Sequence, residues 1–361
     1  MRFLSIKKIA KEAGVSTATV SRVLNNPGYK CSSEELRERI WKIARELNYM
    51  PNEAARNLKK GITDTSQKVW YLDVLMTRTG NLETDPFFSE LLRVIESEIH
   101  RQGCILMHIF HQPLFSNDRK CRTENIDKVI AQMEPDGDIR SDGLIIIGKC
   151  NDNVLKKLSA KYKSIVSVNR NSTNYLVDEV ICDGKRIAAL AVEYLIGLGH
   201  RKIDYVGDCH NESRYKGYQD TLFQYGIDMD ISFVIEAEHT EAEGYAVMER
   251  LIQRGDAPTA IYCANDMIAI GMLKCLNKYK SRYYVPSIIS SDDIEEAQYT
   301  KPMLTSVRLP KEEMGKFALY LLIDRLGGGH KGIVRTELEG KLMIRESCTL
   351  VENANRMEYY I

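Results

Sequence analysis

Arg22 sits in a short run, AGVSTATVSRVLNN from Ala13 to Asn26, and is its only basic residue. On a helix, Val20, Val23 and Leu24 would turn inward, leaving Thr17, Ala18, Ser21, Arg22 and Asn25 outside. A guanidinium can donate two hydrogen bonds to O6 and N7 of guanine in the major groove. Small neighbours such as Thr17 and Ala18 let the helix approach closely enough for that. Ser21 and Asn25 would hold phosphates and set the register. Ser16 is placed to cap the helix, and Thr19 completes the DNA-facing set. The same features also fit a small helical domain that binds protein.

A second group of polar residues lies just beyond β-rich runs: Asp85, Asn169 with Arg170, Arg214, Asn265 with Asp266, and Asp292 with Asp293. In open α/β sheets ligands bind outside the carboxyl ends of the strands, so these residues from distant loops are candidates for one binding cleft. Asp85 and Asp266 also suit helix capping.

Catalytic and metal chemistry find little support. GLIIIGKC, residues 143–150, has the spacing of a phosphate-binding loop but carries Cys150 where Ser or Thr must meet magnesium, and its middle is aliphatic. It reads better as a buried strand. His108 and His111 fall in a strand and loop and do not share a helical face as paired zinc ligands would. Asp292 and Asp293 are sequence neighbours that point apart at a strand end, and neither G-x-S-x-G nor H-E-x-x-H occurs. We expect no enzyme activity, no cofactor and no metal.

The elements that would position both groups can be read from periodicity and punctuation. Ser5 caps a first helix with Ile6, Ile9, Ala10 and Ala13 on one face, and Gly14 supplies the chain reversal before the second. A tight turn between two such helices has the dimensions of a helix-turn-helix. Ser32 and Glu35 have capping-box spacing for a third helix, with Leu36, Ile40, Ile43, Ala44 and Leu47 inward. Pro51–Leu58 is only about two turns, too short to be stable alone in water. With Leu58 beside Arg56, Lys59 and Lys60 it suits a minor-groove wedge, or a flexible linker without DNA. From Val69 onward strands alternate with amphipathic helices in two series: VWYLDVLM, CILMHIF, GLIIIG and SIVSV, then KIDYVG, TAIYC and SIIS. Alternation of this kind implies parallel sheets covered on both faces, here as two lobes.

Composition agrees. The chain has 361 residues with 44% hydrophobic content, enough for two or three domains. Its zero net charge hides a division: residues 1–61 carry 13 Lys/Arg and 6 Glu, or +7, which leaves −7 for the rest. A basic head on an acidic body points to a polyanion partner for the head. The nine cysteines are scattered without a C-x-x-C pair, as expected for reduced thiols. No apolar run reaches the roughly 18–20 residues of a membrane span and no signal peptide is evident, so a cytoplasmic protein with no membrane partner is expected.

GVSTATVSRVLN followed by ELNYMPNEAARNL resembles the DNA-binding headpiece and hinge of the lactose and galactose repressor (LacI/GalR) family. TDPFFSELL, SDGLIII, GLGHRKIDYVGD, SRYKGY, ANDMIAIG and SDDIEEAQYTKPMLTSV resemble the family's periplasmic-binding-protein-like body. The resemblance implies Thr17, Ala18 and Arg22 as operator-reading positions, and Asn52, Ala55 and Leu58 in the hinge with Leu58 intercalating. It also implies that Arg214 and Asp292 clasp ligand hydroxyls while Asp85, Phe87, Asn169 and Asn265 line the rest.

The fold so implied is a small all-α helix-turn-helix headpiece (1–50), a hinge helix and linker (51–65) and an α/β body of two doubly wound parallel-sheet lobes (66–361). The first lobe would take about 66–180 and 306–332, the second about 181–305 and 333–361, with three crossings between them. The expected function is a sequence-specific transcriptional repressor of a sugar-utilisation operon. As a homodimer it would bind near-palindromic double-stranded operator DNA and be released by a sugar. A corepressor-dependent regulator that senses a purine or another metabolite is the alternative.

Overall fold

The computed structural model describes residues 6–25, 33–46, 69–78, 85–133, 140–210, 212–254, 258–279 and 284–353. The chain divides into two compact units, Met1–Lys68 and Val69–Ile361.

In the first unit, helices Ile6–Ala13, Thr17–Asn25 and Glu34–Glu46 pack around Ile9, Ala10, Ala13, Val20, Val23 and Ile40. Leu36 and Ile43 pack on that core as anticipated. Gly14 adopts φ +67, which only a residue without Cβ takes at no cost, and so turns the chain between the first two helices. Ser16 caps the second helix, its Oγ accepting from Thr19 N at 3.1 Å. The third helix departs from expectation at its start. Ser33, not Ser32, supplies the cap, accepting from Leu36 N at 3.1 Å, because the helix begins at Glu34. Glu35 is then too early to close a capping box. Arg39 ties this helix to the first by donating to Ala13 O at 2.6 Å. Ser32 and Leu47 lie outside the described residues.

In the second unit, β1 (Tyr71–Met76), β2 (Ile105–His111), β3 (Gly143–Ile147), β4 (Ser164–Asn169) and β5 (Asp178–Ile181) come first. Then follow β6 (Ile203–Gly207), β7 (Val234–Glu236), β8 (Ala260–Cys263), β9 (Ser287–Asp292) and β10 (Thr305–Arg308). Two short strands, β11 (Arg335–Glu337) and β12 (Lys341–Met343), end the series. They form two six-stranded sheets in the orders β11-β5-β4-β3-β1-β2 and β12-β10-β9-β8-β6-β7. Every pairing is parallel except β10 with β12. The central strands are buried on both faces, which is why Gly143–Ile147 reads as an unbroken apolar run. Helix Lys311–Leu326 packs across the first sheet, and a Cβ on Gly143 would sit 3.0 Å from the side chain of Leu322.

The chain passes between sheets three times, after β5, after β10 and after β11. All three expected lobe boundaries therefore move, the first by one residue, since Ile181 ends β5 in the first sheet. Ser306 belongs to the second lobe because β10 extends the pairing of β9, and residues 335–337 belong to the first because β11 pairs with β5. The GLIIIGKC segment is a strand, and His108 lies on β2, where it meets Asp73 at 3.0 Å. All described cysteines are free. No described helix is long and apolar enough to cross a membrane.

Candidate effector cleft and DNA-reading helix

Each residue of the cleft is held by the local structure at a strand or helix end. Asp85 caps helix Pro86–Arg101, accepting from Phe88 N at 3.5 Å, with Pro86 at the first helical position. Phe87, in the first turn, presents its ring to the guanidinium of Arg170, 4.5 Å from the centroid. Asn169 ends β4, and its Oδ1 accepts from the N–H of Arg170 at 2.7 Å.

From the second lobe, Arg214 in the first turn of helix Ser213–Gln224 is 1% exposed. It donates to Glu212 Oε1 at 2.9 Å and to Ala264 O, and its Nη2 lies 3.1 Å from His239 Nε2. Glu212, in turn, is held at about 2, below the usual carboxylate range, because the attraction of Arg214 overcomes burial. Asn265 closes the ring, with Nδ2 donating to His239 O at 3.3 Å and Oδ1 accepting from Ile268 N at 3.1 Å. Asn265 is thus the cap of helix Asp266–Tyr279.

Asp266 was expected to cap that helix and does not. Its carboxylate accepts from Ser290 Oγ, Ser306 Oγ and Ile294 N at 2.5, 2.6 and 2.8 Å, bracing β9 and β10. The two aspartates after β9 also part company. Asp293 is taken up by Arg308 Nε and Arg345 Nη2 at 2.5 and 2.6 Å, a structural role. Asp292, with φ +115, turns instead toward the first lobe, where Oδ1 lies 3.1 Å from Arg170 Nη2. That approach lacks hydrogen-bond geometry. Asp292 Oδ1 and Arg170 Nε are both buried without a hydrogen-bond partner.

Phe87, Asn169 and Asp292 therefore meet at Arg170, Arg214 and Asn265 meet at His239, and Asp85 and Asp292 are tied to Arg170 and Arg214 through charge. Burial raises the Asp85 carboxyl despite Arg170, Arg78 and Arg214 nearby. Burial likewise pushes Asp292 up to about 6 against the pull of Arg170 and Arg214. Such a site can clasp a ligand rich in hydroxyls, because each oxygen can accept from a guanidinium and donate to a carboxylate. Sequence reasoning left Arg78, Glu212 and His239 out of the set. His239 follows β7, three residues too short to show a strand pattern, and Arg78 meets it only through the fold.

On the headpiece, Thr17 and Arg22 are exposed on the second helix while Val20 and Val23 are buried beneath them. Ser16 and Thr19 are occupied with the cap and with each other, their hydroxyls 2.9 Å apart. Ala18, Ser21 and Asn25 lie on the same helix by backbone; their side chains lie outside the description. The hinge candidates Asn52, Ala55 and Leu58 lie outside the described residues.

Comparison with known proteins finds a match within each unit. Residues 5–52 match the model for bacterial regulatory proteins of the lacI family, and residues 192–348 match the periplasmic binding protein-like domain. The HTH-type transcriptional repressor MelR of Bacillus subtilis (strain 168) is 30% identical over 357 residues, covering 95% of this chain and 97% of that one. The HTH-type transcriptional repressor PurR of Haemophilus influenzae (strain PittEE) is 29% identical over 360 residues, covering 95% and 98%. Among solved structures, the transcriptional regulator CelR in complex with cellobiose superposes with a TM-score of 0.65 at 24% identity, over 96% of this chain and 100% of that one. With an N-terminal helix-turn-helix, a two-lobed α/β body later in the sequence and similarity to these repressors over 95% of its length, the chain belongs to the lacI family of bacterial regulatory proteins.

Proposed function

We propose that this protein is a sugar-responsive transcriptional repressor. Two headpieces of a homodimer read the half-sites of a near-palindromic operator in the cytoplasm, since two-fold protein symmetry must be matched by the DNA. A small polyhydroxylated effector between the lobes then lowers operator affinity. The observation that carries this reading is the Arg170–Asp292 pair: two buried, opposite charges from different lobes, each with a polar atom lacking a hydrogen-bond partner. Buried polar atoms are ordinarily satisfied, so the pair calls for a ligand whose hydroxyls complete it. Among the described residues of the cleft nothing is arranged as a nucleophile with its base, and we assign it no catalytic role.

The relation between cleft and DNA is a coupling free energy, and both lobes must bias it. The hinge candidates Asn52, Ala55 and Leu58 would be the element coupled, a segment too short to be helical except when supported. A gel shift of the full-length protein on a selected operator, with and without a panel of sugars, tests the whole reading. Release by a sugar supports it; failure to select any duplex sequence overturns it.

Arg22→Ala is expected to weaken operator binding by about 1–3 kcal/mol and to relax preference at one base pair of each half-site. Binding-site selection on the variant reads this directly. An unchanged consensus would remove Arg22 from the reading set.

A further inference from the structure

His239 is buried in the cleft with a guanidinium against each ring nitrogen. Nδ1 lies 2.6 Å from Arg78 Nη2 of the first lobe, and Nε2 lies 3.1 Å from Arg214 Nη2 of the second. Arginine only donates hydrogen bonds. A neutral imidazole accepts at one nitrogen and carries a proton on the other, so either tautomer leaves one N–H facing another N–H. Protonating the ring makes both contacts repulsive. No protonation state of His239 satisfies this arrangement, and an acceptor atom is what it lacks.

The fixed parts of the cluster say where that acceptor belongs. Arg214 is anchored by Glu212 and Ala264 O, so its approach to Nε2 is set, and we assign Nε2 as the accepting nitrogen. Nδ1 then carries the proton and faces Arg78. The neighbouring carboxylates are committed elsewhere: Glu212 to Arg214, Asp292 toward Arg170, and Asp85 to the helix cap at Phe88 N. Among the described residues no carboxylate lies within ion-pair distance of Arg78; its polar contact there is His239. The charges that act on His239 are Arg78, Arg214 and Arg170, all positive, and with burial they hold the ring neutral.

We propose that the effector carries an oxyanion, a phosphate or a carboxylate, and that this group inserts between Arg78 and Nδ1–H of His239. One anionic oxygen accepts from both, ends the N–H against N–H contact and sets a negative charge against Arg78. A sugar hydroxyl could accept the same two bonds but would bring no negative charge into contact with Arg78, whose attraction to Asp85 and Glu212 acts only from a distance. Charge-assisted hydrogen bonds of this kind are about twice as strong as neutral ones. The ligand class is then a sugar phosphate or sugar acid. This inference rests on the cleft being the effector site.

The test uses the full-length protein and inorganic phosphate as the minimal probe, with sodium chloride at matched ionic strength as reference. Phosphate at tens of millimolar is expected to raise the melting temperature by a few degrees beyond chloride. Arg78→Gln should erase that shift and Arg78→Lys should shrink it, while Lys156→Ala, on an exposed helical face, should keep it. Acetate run beside phosphate separates a carboxylate from a phosphate preference. A phosphate response equal to that of chloride, or one unchanged in Arg78→Gln, overturns the proposal. Operator gel shifts keep the two readings apart. Release by neutral sugars alone sinks the oxyanion and leaves the repressor standing; oxyanion binding without any effect on DNA does the reverse.

Discussion

Asp292→Ala is expected to abolish operator release by the effector and to leave operator affinity within a few-fold of the parent protein. The Asp292 side chain is 4% exposed and faces Arg170, whose side chain is 7% exposed, from the opposite lobe. Removing one member of a buried pair leaves the other charge uncompensated, at a cost of about 3–5 kcal/mol. That penalty falls on the lobe contact and on ligand binding, both of which use Arg170, and not on the separate headpiece. Asp292→Asn keeps the volume, and asparagine tolerates positive φ better than most residues, so it guards against simple misfolding. Burial pushes Asp292 up to about 6, so the carboxylate is mostly charged at pH 7 and is lost as pH falls through that value. Effector affinity in the parent should weaken on acidification through that range, and in Asp292→Asn it should be weak throughout. Calorimetry on both variants decides. Full ligand affinity in Asp292→Asn would take this residue out of the cleft's chemistry.

Much of the fold was legible because the signals were local. Gly14 with Ser16 marks a turn and a cap within three residues, and the strand Gly143–Ile147 announces itself by being apolar throughout. Asp85-Pro86 at a helix start is equally local. What escaped were elements whose identity depends on a neighbour. β7 and β11 have three residues each and are edge or near-edge strands; their half-exposed side chains carry no alternation long enough to read. The lobe boundaries moved for the same reason, since only pairing with β9 and β5 assigns Thr305–Arg308 and Arg335–Glu337 to their sheets.

The cleft divides along the same line. Residues placed directly at strand ends, such as Asn169 and Asp292, follow from the rule for open sheets. The roles of adjacent acids do not. Asn265 and Asp266 both suit a cap, and which of them takes it depends on Ser290 and Ser306 claiming Asp266 from strands far along the chain. Arg78 and His239 are 161 residues apart and meet across the lobes, so no spacing could pair them.

Two buried aspartates of the second lobe share a direction of shift and should respond unequally to amidation. Burial pushes Asp204, on β6, and Asp266 each up to about 7. An unfolded aspartate titrates near 3.9, so between about pH 4 and pH 7 the unfolded chain has lost a proton that the folded chain still holds. Stability from such a group is greatest below pH 4, falls as pH rises to about 7 and is level beyond. At roughly 1.4 kcal/mol per unit, a shift of about three units costs about 4 kcal/mol at pH 8, and about 3 kcal/mol of that accrues between pH 5 and pH 8. Both oxygens of Asp204 are buried without a hydrogen-bond partner, so Asp204→Asn gives up no bond and removes the penalty. It should stabilise the protein at pH 8 and do so progressively less toward pH 5. Asp266 accepts three hydrogen bonds; an amide there either sets its NH2 against Ile294 N–H or, turned over, makes the Ser290 and Ser306 hydroxyls accept and leaves their protons without that acceptor. Each buried group left unpaired costs about 1–3 kcal/mol, which offsets the charge relief. Guanidinium unfolding of the two variants at pH 5 and pH 8 reads the difference. A gain for Asp266→Asn as large as that for Asp204→Asn would mean that burial alone, and not the donors around Asp266, sets the stability of these strands.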